Sequence, residues 1–333
     1  MLYWCCMMRR KFIRSVSMAG GALLAPASLT VHCATLPDSK TSDVVIARDD
    51  NVLNQKFIVD TERLQKLLDR GIMQLFGCDT PYEAWQRVVK PGEVIGLKVN
   101  CLSGRGTTHP ELVSAICERL REAGIRSENI VIWDRFNSDL EEGGFKINYN
   151  TRGVQVMGNE ILGFESDFAI SGAAASLVCK TLTRLCDGVI NLPVLKDHGI
   201  AGITLAMKNL FGSIHNPNKY HLNVGDPFIP DVYSFKPIRE KVRLHICDAL
   251  IAQYDGGPSY MPHWSWAHNS LLFSKDPVAL DYTGWQIIEA KRKEKGKKPL
   301  RAVGREPKYI FTAGNASHKL GSCDPNFINV KHI

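Results

Sequence analysis

Several motifs that would identify a known chemistry are missing from this chain of 333 residues. After the adjacent Cys5 and Cys6, no two cysteines have Cys-x-x-Cys spacing, so an intrinsic iron–sulfur cluster of the ferredoxin type is not expected. Gly104 and Gly106 lack the third glycine of a dinucleotide fingerprint, and neither a Walker sequence nor a Gly-x-Ser-x-Gly elbow occurs. No His-x-x-x-His spacing indicates a metal site. The functional residues must therefore be dispersed along the chain.

Excess charge is also scarce outside the N-terminus. The formal net charge is +7, and residues 9–14 supply four of these positive charges before the first acidic residue, Asp38. The remaining surplus is too small and too dispersed to indicate nucleic-acid binding, which requires a clustered basic face. The basic run at residues 291–298 is predicted to be a solvated helix end. A composition of 44% hydrophobic and 23% charged residues is that of an ordinary globular protein.

The N-terminal segment predicts export. Residues 8–14 read Met-Arg-Arg-Lys-Phe-Ile-Arg and precede an uncharged stretch, residues 15–32, that contains Ala25-Pro26-Ala27. This pattern resembles a twin-arginine signal with a small-x-small cleavage site. We expect a signal peptide at residues 1–27, a linker at residues 28–41 and a single α/β domain at residues 42–333. The twin-arginine translocase would then deliver the protein to the periplasm or another extracytoplasmic compartment; an uncleaved anchor helix is the alternative.

Strand and helix patterns alternate after the linker. Residues 61–76 have apolar side chains at helical spacing, and residues 110–123 form a second predicted helix with Pro110 in its first turn. Apolar runs at 94–100 and 129–134 flank that helix and predict a βαβ unit. The expected fold class is therefore α/β, with a mainly parallel sheet built from βαβ units and flanked by helices, in one domain that has one or two lobes.

The second half of the chain continues the alternation. We predict a long loop at 141–163, one strand at 188–195, a helix at 200–210, a functional loop at 216–236 and a helix at 277–291. Shorter strands are expected at 242–248 and 270–273. Cys117, Cys179 and Cys247 lie in apolar runs and are expected to be small buried hydrophobic residues.

Lysine and histidine residues collect where predicted strands end. Lys98 lies in the run that ends at Asn100, and Lys196 and His198 follow the strand at 188–195. Ligands of open α/β sheets bind beyond the carboxyl ends of the strands, so these are candidate site residues. Either lysine could bind a carboxylate or phosphate, or act as a base through a lowered pKa. The structural alternative is an ion pair with Asp134 or Asp248 at a neighbouring strand end.

Other candidates lie in the segments that follow. Lys208 and Asn209 stand near a predicted helix end, where with Lys219 and His221 they could hold an anion; capping of helix carbonyls is the alternative. Asp276 is explained as a helix N-cap, whereas Asp281 among apolar neighbours is not and is expected to face the site.

Three loop histidines could converge on a transition metal or carry protons. They are His109, His198 and His221. Export after folding makes a bound metal more plausible, but the spacing does not demand one. The alternative for each is a hydrogen-bonded surface group. His245 alternates inside a strand and is expected to be structural.

Several motifs taken together, in this order, resemble one known family. They are Gly96-Leu97-Lys98-Val99-Asn100, Thr108-His109-Pro110, Leu192-Pro193 with Lys196 and His198, Lys208-Asn209-Leu210-Phe211-Gly212, Lys219 with His221, and Asp276-Pro277-Val278-Ala279-Leu280-Asp281. This set resembles the domain of unknown function 362 between about residues 94 and 321. The resemblance implies no settled reaction. Many members resemble fusions to a ferredoxin-like module, from which this chain departs, so a separate iron–sulfur protein is a possible redox partner.

The leading hypothesis is an exported enzyme that acts on a small anionic substrate through lysine and histidine acid–base chemistry or with metal assistance. The candidate catalytic residues are Lys98, Lys196, His198 and Asp281; the candidate substrate-binding residues are Asn100, His109, Lys208, Asn209, Lys219 and His221; the candidate metal ligands are His109, His198 and His221. The alternative is a periplasmic accessory protein that binds an anion or a metal and partners an iron–sulfur protein.

Overall fold

A computed structural model describes residues 41–102, 104–150 and 152–333. The signal peptide expected at residues 1–27 and the linker expected from residue 28 lie outside the described residues, except for residue 41. Within the described part of the chain, no helix combines the length and the apolar character needed to span a membrane.

Strands and helices alternate through this region, as the sequence predicts. The strands are β1 (Ser42–Arg48), β2 (Ile95–Lys98), β3 (Ile130–Asp134), β4 (Gln155–Gly158), β5 (Ala169–Ser171), β6 (Ala174–Ser176), β7 (Gly188–Asn191), β8 (Val194–His198), β9 (Gly202–Thr204), β10 (Val242–Gln253), β11 (Ser265–Ser274) and β12 (Ile328–His332). The α-helices are α1 (Thr61–Phe76), α2 (Pro81–Gln86), α3 (Pro110–Glu122), α4 (Asn137–Glu142), α5 (Ala206–Asn209), α6 (Phe228–Tyr233), α7 (Lys236–Lys241), α8 (Pro277–Glu294) and α9 (Tyr309–Gly314).

One large sheet organises the described residues. Its strand order is β12-β1-β11-β10-β7-β2-β3-β4, and β8 pairs with β10 and β9. The neighbours from β10 through β4 are all parallel, whereas β11 is antiparallel to both β1 and β10. β5 and β6 form a separate antiparallel pair. The expected α/β class with a mainly parallel sheet is confirmed.

The strand order reverses between β2 and β7. From β2 the chain continues outward to β3 and β4, and it later returns to the opposite side of β2 to form β7 and then β10. Adjacent connections therefore leave β2 and β7 in opposite directions, which opens a crevice at their carboxyl ends. In open α/β sheets this is the usual position of a ligand site.

Helices cover both faces of the sheet. On one face of the sheet, Ile95 and Leu97 belong to a core that also contains residues of α1, α2 and α3. On the second face, Trp133 and Val189 belong to another core. Lys98 follows Leu97, so the alternation of strand side chains directs it to the second face, where its ammonium lies 5.6 Å from the centre of the Trp133 ring. Cys117, Cys179 and Cys247 are buried in these cores, as expected.

The first long helix illustrates how local sequence defines an element. Asp60 accepts a hydrogen bond from the backbone N–H of Arg63 at the start of α1, and Gly77 ends the helix with φ of +62°. The buried positions of α1 include Leu64, Leu68 and Ile72, at the spacing of one helix face. The predicted bounds, 61–76, are those observed.

Several sequence predictions were wrong in detail. The loop expected at 216–236 contains α6, and the strands expected at 242–248 and 270–273 are parts of the longer β10 and β11. The strand expected at 188–195 is two strands, because Pro193 has no N–H to give to a ladder. β7 pairs with β2 and β10, whereas β8 pairs with β10 and β9. The helix expected at 200–210 is β9 followed by the short α5. The loop expected at 141–163 contains β4, which pairs with β3 at the sheet edge.

The packing of α1 on the sheet gives a test of the fold. A Cβ atom built on Gly71 would lie 2.1 Å from Cε2 of Phe273, whose ring is fully buried. Gly71→Ala should therefore destabilise the protein by about 1–3 kcal/mol through overpacking, although alanine favours a helix by about 1 kcal/mol over glycine. Urea unfolding measures the change. The exposed neighbour Arg70→Ala serves as the control, and a Gly71→Ala protein more stable than wild type would contradict this packing.

Candidate functional site

A buried ion pair joins the carboxyl ends of β2 and β3. Nζ of Lys98 lies 2.7 Å from Oδ1 of Asp134 and donates a second hydrogen bond of 2.5 Å to the carbonyl of Val99. Asp134 also accepts hydrogen bonds from the backbone N–H groups of Cys101 and Arg135, each at 2.8 Å. Lys98 is 1% exposed and Asp134 is 5% exposed. The pairing proposed from the strand-end positions is thus observed for Lys98.

The segment after α5 closes over this pair. A Cβ atom on Gly212 would lie 2.8 Å from Cε of Lys98 and 2.9 Å from Oδ1 of Asp134. Only glycine permits so close an approach of backbone to the ion pair. The carbonyl of Gly212 accepts a 2.7 Å hydrogen bond from the side chain of Asn159, which fixes the segment.

Side-chain amides form a buried hydrogen-bonded chain between the ends of β2 and β7, where the strand order reverses. Nδ2 of Asn100 donates to Oδ1 of Asn209 (2.9 Å), and Nδ2 of Asn209 donates to Oδ1 of Asn191 (2.8 Å). Asn191 donates in turn to Nδ1 of His245 (3.0 Å), which leaves the ring proton on Nε2, 3.2 Å from the hydroxyl oxygen of Tyr233. These bonds link the ends of β2 and β7 to α5 and so fix the position of the neighbouring Lys208.

Two further lysines are buried near this pair. Nζ of Lys196 donates a 2.9 Å hydrogen bond to the carbonyl of Gly106, and burial lowers its pKa to about 8. Lys208 is 8% exposed, and burial, with the charges of Lys196 and Lys98, lowers its pKa to about 7. Its ammonium lies 4.3 Å from the centre of the Phe211 ring. Among the described residues, no carboxylate lies within 4.0 Å of that ammonium. Lys98, Lys196 and Lys208 are called the lysine cluster below.

Two imidazoles stand beside Lys208. The ring centres of His198 and His221 lie 5.5 Å apart with an interplanar angle of 22°, and His221 also meets the Phe211 ring edge-on at 5.7 Å. Nδ1 of His198 accepts the backbone N–H groups of Ile200 (3.2 Å) and Ala201 (3.0 Å), so the proton of the neutral ring is on Nε2. Burial, followed by the charge of Lys208, lowers the pKa of His198 to about 2. His198 is therefore a neutral hydrogen-bond donor at physiological pH.

His109 occupies the neighbouring strand end. Its backbone N–H and its Nδ1 both lie 2.8 Å from Oδ2 of Asp248. Burial opposes the charged form of the ring, but the carboxylate of Asp248 outweighs it and raises the pKa of His109 overall. The preceding Thr108 donates a 2.7 Å hydrogen bond to the carbonyl of Leu192 and thereby ties this loop to the end of β7.

Asp281 and Lys219 lie at the margins of this arrangement. Asp281 accepts the backbone N–H groups of Ala206 (2.6 Å) and Met207 (3.3 Å), the first residues of α5, and burial raises its pKa to about 8. Asp281 therefore holds the helix that carries Lys208. The ammonium of Lys219 donates to the carbonyl of Ala175 in β6 at 2.9 Å.

The three histidines considered as metal ligands have other partners in the structure. No group of three or more His, Cys, Asp or Glu residues within the described ranges is placed to hold a metal ion. His109 is engaged by Asp248, while His198 and His221 stack on each other.

A small cavity lies beside Lys196. It has a volume of about 10 Å³ and borders Lys196, Gly106 and His109. Such a volume holds about one water molecule, so a larger ligand does not fit this cavity.

The main cations and imidazoles, and Asp134 as a lysine partner, are recognisable in the sequence, whereas the other partners are not. Asn191 and Phe211 bind or contact site residues, yet each lies inside an apolar run that reads as core. Asp134 and Asp248 were considered as lysine partners; Asp134 is one, whereas Asp248 binds His109 instead. Lys98, Lys196, Lys208, His198 and His221, predicted from separate strand ends and loops, are brought together.

Comparisons with known proteins place this region in context. A profile of the family described as domain of unknown function (DUF362) matches residues 95–286, which include the lysine cluster and Asp281. A thylakoid-associated protein of Synechocystis sp. is 27% identical over 217 residues, which are 60% of this chain and 64% of that protein. A crystal structure of a protein from Thermotoga maritima gives a TM-score of 0.38 at 10% identity, covering 72% of this chain and 59% of that one. The chain thus spans less than two thirds of either protein.

The buried ion pair gives one prediction. Lys98→Met or Asp134→Asn alone should destabilise the protein by about 3–5 kcal/mol, because each leaves the other charge buried. The double variant should lose less than the sum of the two, with a coupling of about 1–3 kcal/mol measured by urea unfolding. The exposed pair Arg48 and Asp50 gives the matched control, with a coupling below about 1 kcal/mol. Additive losses at Lys98 and Asp134 would show that the two charges do not interact.

Lys208 gives a second prediction, on stability against pH. Its pKa in the folded protein, about 7, is below the ordinary value of 10.5, so the unfolded chain binds more protons between these values. Wild-type stability should therefore rise with pH across that window. Lys208→Met should stabilise the protein by about 1–4 kcal/mol below pH 7, and this gain should decline towards pH 10.5.

The exposed Lys236, 83% accessible, provides the control, since Lys236→Met should give no pH-dependent difference. Urea unfolding at a series of pH values measures both variants. A Lys208→Met protein less stable than wild type at low pH would show that the ammonium is compensated in the fold.

Proposed function

We propose the following function for this chain, which belongs to the DUF362 family: it is an enzyme that acts on a small anionic molecule bound at the lysine cluster. The observation that carries the proposal is the environment of Lys208. Its amine is buried, its described surroundings supply no carboxylate, and two other lysines are its charged neighbours. An anion that enters this site would supply the missing countercharge.

The acidic groups near the cluster support this assignment, because they are already engaged. The carboxylates whose charges reach Lys196 include Asp134 and Asp197. Asp134 is bound to Lys98 at 2.7 Å, and Asp197 is bound to Arg305 at 2.9 Å. The electrostatic attraction of an incoming anion is strong here, since burial removes the screening by water.

The pKa values indicate which groups move protons. A base works best at neutral pH when its pKa is near 7, and burial brings the pKa values of Lys208 and Lys196 to about 7 and about 8. His198, with a pKa of about 2, stays neutral and donates a hydrogen bond to developing negative charge on the substrate. In this proposal the lysines are the acid and base, and His198 stabilises charge.

Lys208 is only 8% exposed, so a substrate reaches it more easily if a covering segment moves, and the chain around His221 is suited to that role. Asn223 and Val224 have φ values of +50° and +59°, a left-handed conformation that is costly for a β-branched residue. Leu222 beside them is 71% exposed. We propose that this segment, Leu222–Gly225, moves together with His221 to admit the substrate.

We also propose that the protein acts outside the cytoplasm. The support is the basic start and the uncharged stretch at residues 8–32, which fit a twin-arginine signal. Because the chain has no Cys-x-x-Cys motif after Cys5 and Cys6, electrons for a redox reaction would come from a separate iron–sulfur protein. Detection of the mature chain beginning after residue 27 in a periplasmic fraction tests the export.

Anion binding gives the first prediction from this function. Inorganic phosphate should bind wild-type protein, measured by isothermal titration calorimetry, with proton uptake that indicates charging of the lysines. Affinity should fall as pH rises above about 8, because the lysines, with pKa values of about 7 and about 8, then lose their protons. Lys208→Met should weaken binding about tenfold or more, and Lys236→Met should leave it unchanged. Equal affinities for wild type and Lys208→Met would contradict the site.

Turnover distinguishes an enzyme from a carrier. A mixture of small carboxylates and phosphates incubated with wild type should show consumption of one compound by mass spectrometry. Lys196→Ala should abolish that consumption, and Lys236→Ala should not. Saturable binding of an anion without consumption of any compound would contradict an enzyme and support the accessory binding protein instead.

Elemental analysis of the same preparation, made without an affinity tag, tests for a bound transition metal.

A further inference from the structure

We propose that Lys208 is a nucleophile that forms an imine with the carbonyl carbon of a small oxo acid. This inference deepens the proposed function and rests on it, because it takes the anion-binding lysine cluster as the place where the acid group of the substrate is held. It adds a covalent step and a substrate class to that site.

The contacts of Lys208 suit a nucleophilic amine. Its side chain is 8% exposed, and the ammonium lies over the face of Phe211 at 4.3 Å, with no hydrogen-bond acceptor among the described residues. Apolar enclosure beside other cations is the arrangement that keeps a lysine amine neutral and reactive. The pKa of about 7, lowered by burial and by the charges of Lys196 and Lys98, agrees with this geometry.

The neighbouring lysines differ from Lys208 in this respect. The charge of Lys98 is compensated by Asp134 at 2.7 Å, and its ammonium, which has no lone pair, also donates to the carbonyl of Val99. The ammonium of Lys196 donates to a neutral carbonyl, that of Gly106. Lys196 is therefore suited to hold a carboxylate, whereas Lys208 is suited to attack.

Fixed supports hold the attacking amine in place. The next residue, Asn209, is bonded to both Asn100 and Asn191, and Asp281 binds the first backbone N–H groups of α5. Phe211 contacts Lys208 through its face and His221 through its edge, and His221 stacks on His198. His221 donates its Nδ1 proton to the carbonyl of Asn218 at 3.3 Å, whereas neutral His198 carries its proton on Nε2. A carbonyl oxygen beside Lys208 would thus receive its hydrogen bond from His198.

The step balances without any oxidant or reductant. The neutral amine of Lys208 forms a C–N bond to the carbonyl carbon, the C=O π bond breaks, and one proton passes from the nitrogen to the oxygen to give a neutral carbinolamine. The hydroxyl then takes the proton that the Lys208 ammonium released before the attack and leaves as water, and the nitrogen lone pair forms the C=N bond. The net change is ammonium plus carbonyl to protonated imine plus water. The positive imine nitrogen then draws electrons from the bonds next to the former carbonyl carbon.

Reductive trapping tests the proposal on the full chain. The protein is incubated with glyoxylate, pyruvate or 2-oxoglutarate and sodium cyanoborohydride at about pH 7.5, where the Lys208 amine is largely neutral and an exposed lysine is not. Peptide mapping by mass spectrometry identifies the lysine that carries the reduced adduct. We expect Lys208 to be labelled roughly tenfold or more faster than the exposed Lys236 by at least one of the three acids.

Four controls separate the outcomes. Lys208→Arg should lose the fast adduct, Lys236→Arg should keep it, and inorganic phosphate should suppress it. Neutral acetone should label Lys208 poorly, because it has no acid group. The mapping in wild type remains decisive even if Lys208→Arg fails to fold.

Two results would overturn the inference, and they differ in what else they affect. If phosphate binds in a Lys208-dependent manner but all three acids label Lys208 no faster than Lys236, the imine is wrong and the anion site stands. If phosphate binding is also absent, both the imine and the proposed function fail.

Discussion

A charged ammonium group is buried at low cost only where other charges or hydrogen bonds compensate for its lost hydration. At the carboxyl ends of β2 and β3 this compensation is the ion pair of Lys98 and Asp134, and the surrounding structure is arranged around it. Asp134 accepts backbone N–H groups from the chain that follows each strand. The backbone of Gly212 packs directly on the pair, so the position of the segment after α5 is fixed by this contact. Because α5 precedes this segment, the location of Lys208 also depends on the ion pair.

The lysine cluster lies where the topology leaves room for a site. The strand order reverses between β2 and β7, and connections leave these two strands in opposite directions. The amide chain from Asn100 through Asn209 to Asn191 bridges that divide with hydrogen bonds of 2.8 to 2.9 Å. These hydrogen bonds connect the ends of β2 and β7 to α5, and they hold the helix that carries Lys208 in place. Fold and charge thus indicate the same location for ligand binding.

Local sequence patterns were sufficient for elements that a few neighbouring residues define. Helix α1 begins at an Asp cap, ends at a left-handed glycine and has one apolar face, and its bounds were predicted correctly. Patterns failed where tertiary pairing decides. The apolar run at 188–195 looks continuous, but Pro193 separates two strands that share β10 and differ in their other partner, β2 for the first and β9 for the second. Residues 202–204 form a strand only because β8 lies beside them. The site residues show the same division between local patterns and tertiary contacts. Lys98, Lys196 and His198 were recognisable as strand-end residues, whereas the contact of Phe211 with Lys208 and the pairing of Asp248 with His109 depend on the folded chain.

The central claim is that the lysine cluster is an anion site that lacks part of its countercharge within the protein. A crystal structure grown with selenate at about pH 6, where the lysines are protonated, tests this most directly, because selenium scatters anomalously and locates the anion without ambiguity. We expect an anomalous peak within hydrogen-bond distance of Nζ of Lys208, with Lys98 still bound to Asp134. A map without anion density at the cluster, in which a carboxylate of the protein neutralises Lys208, would contradict it.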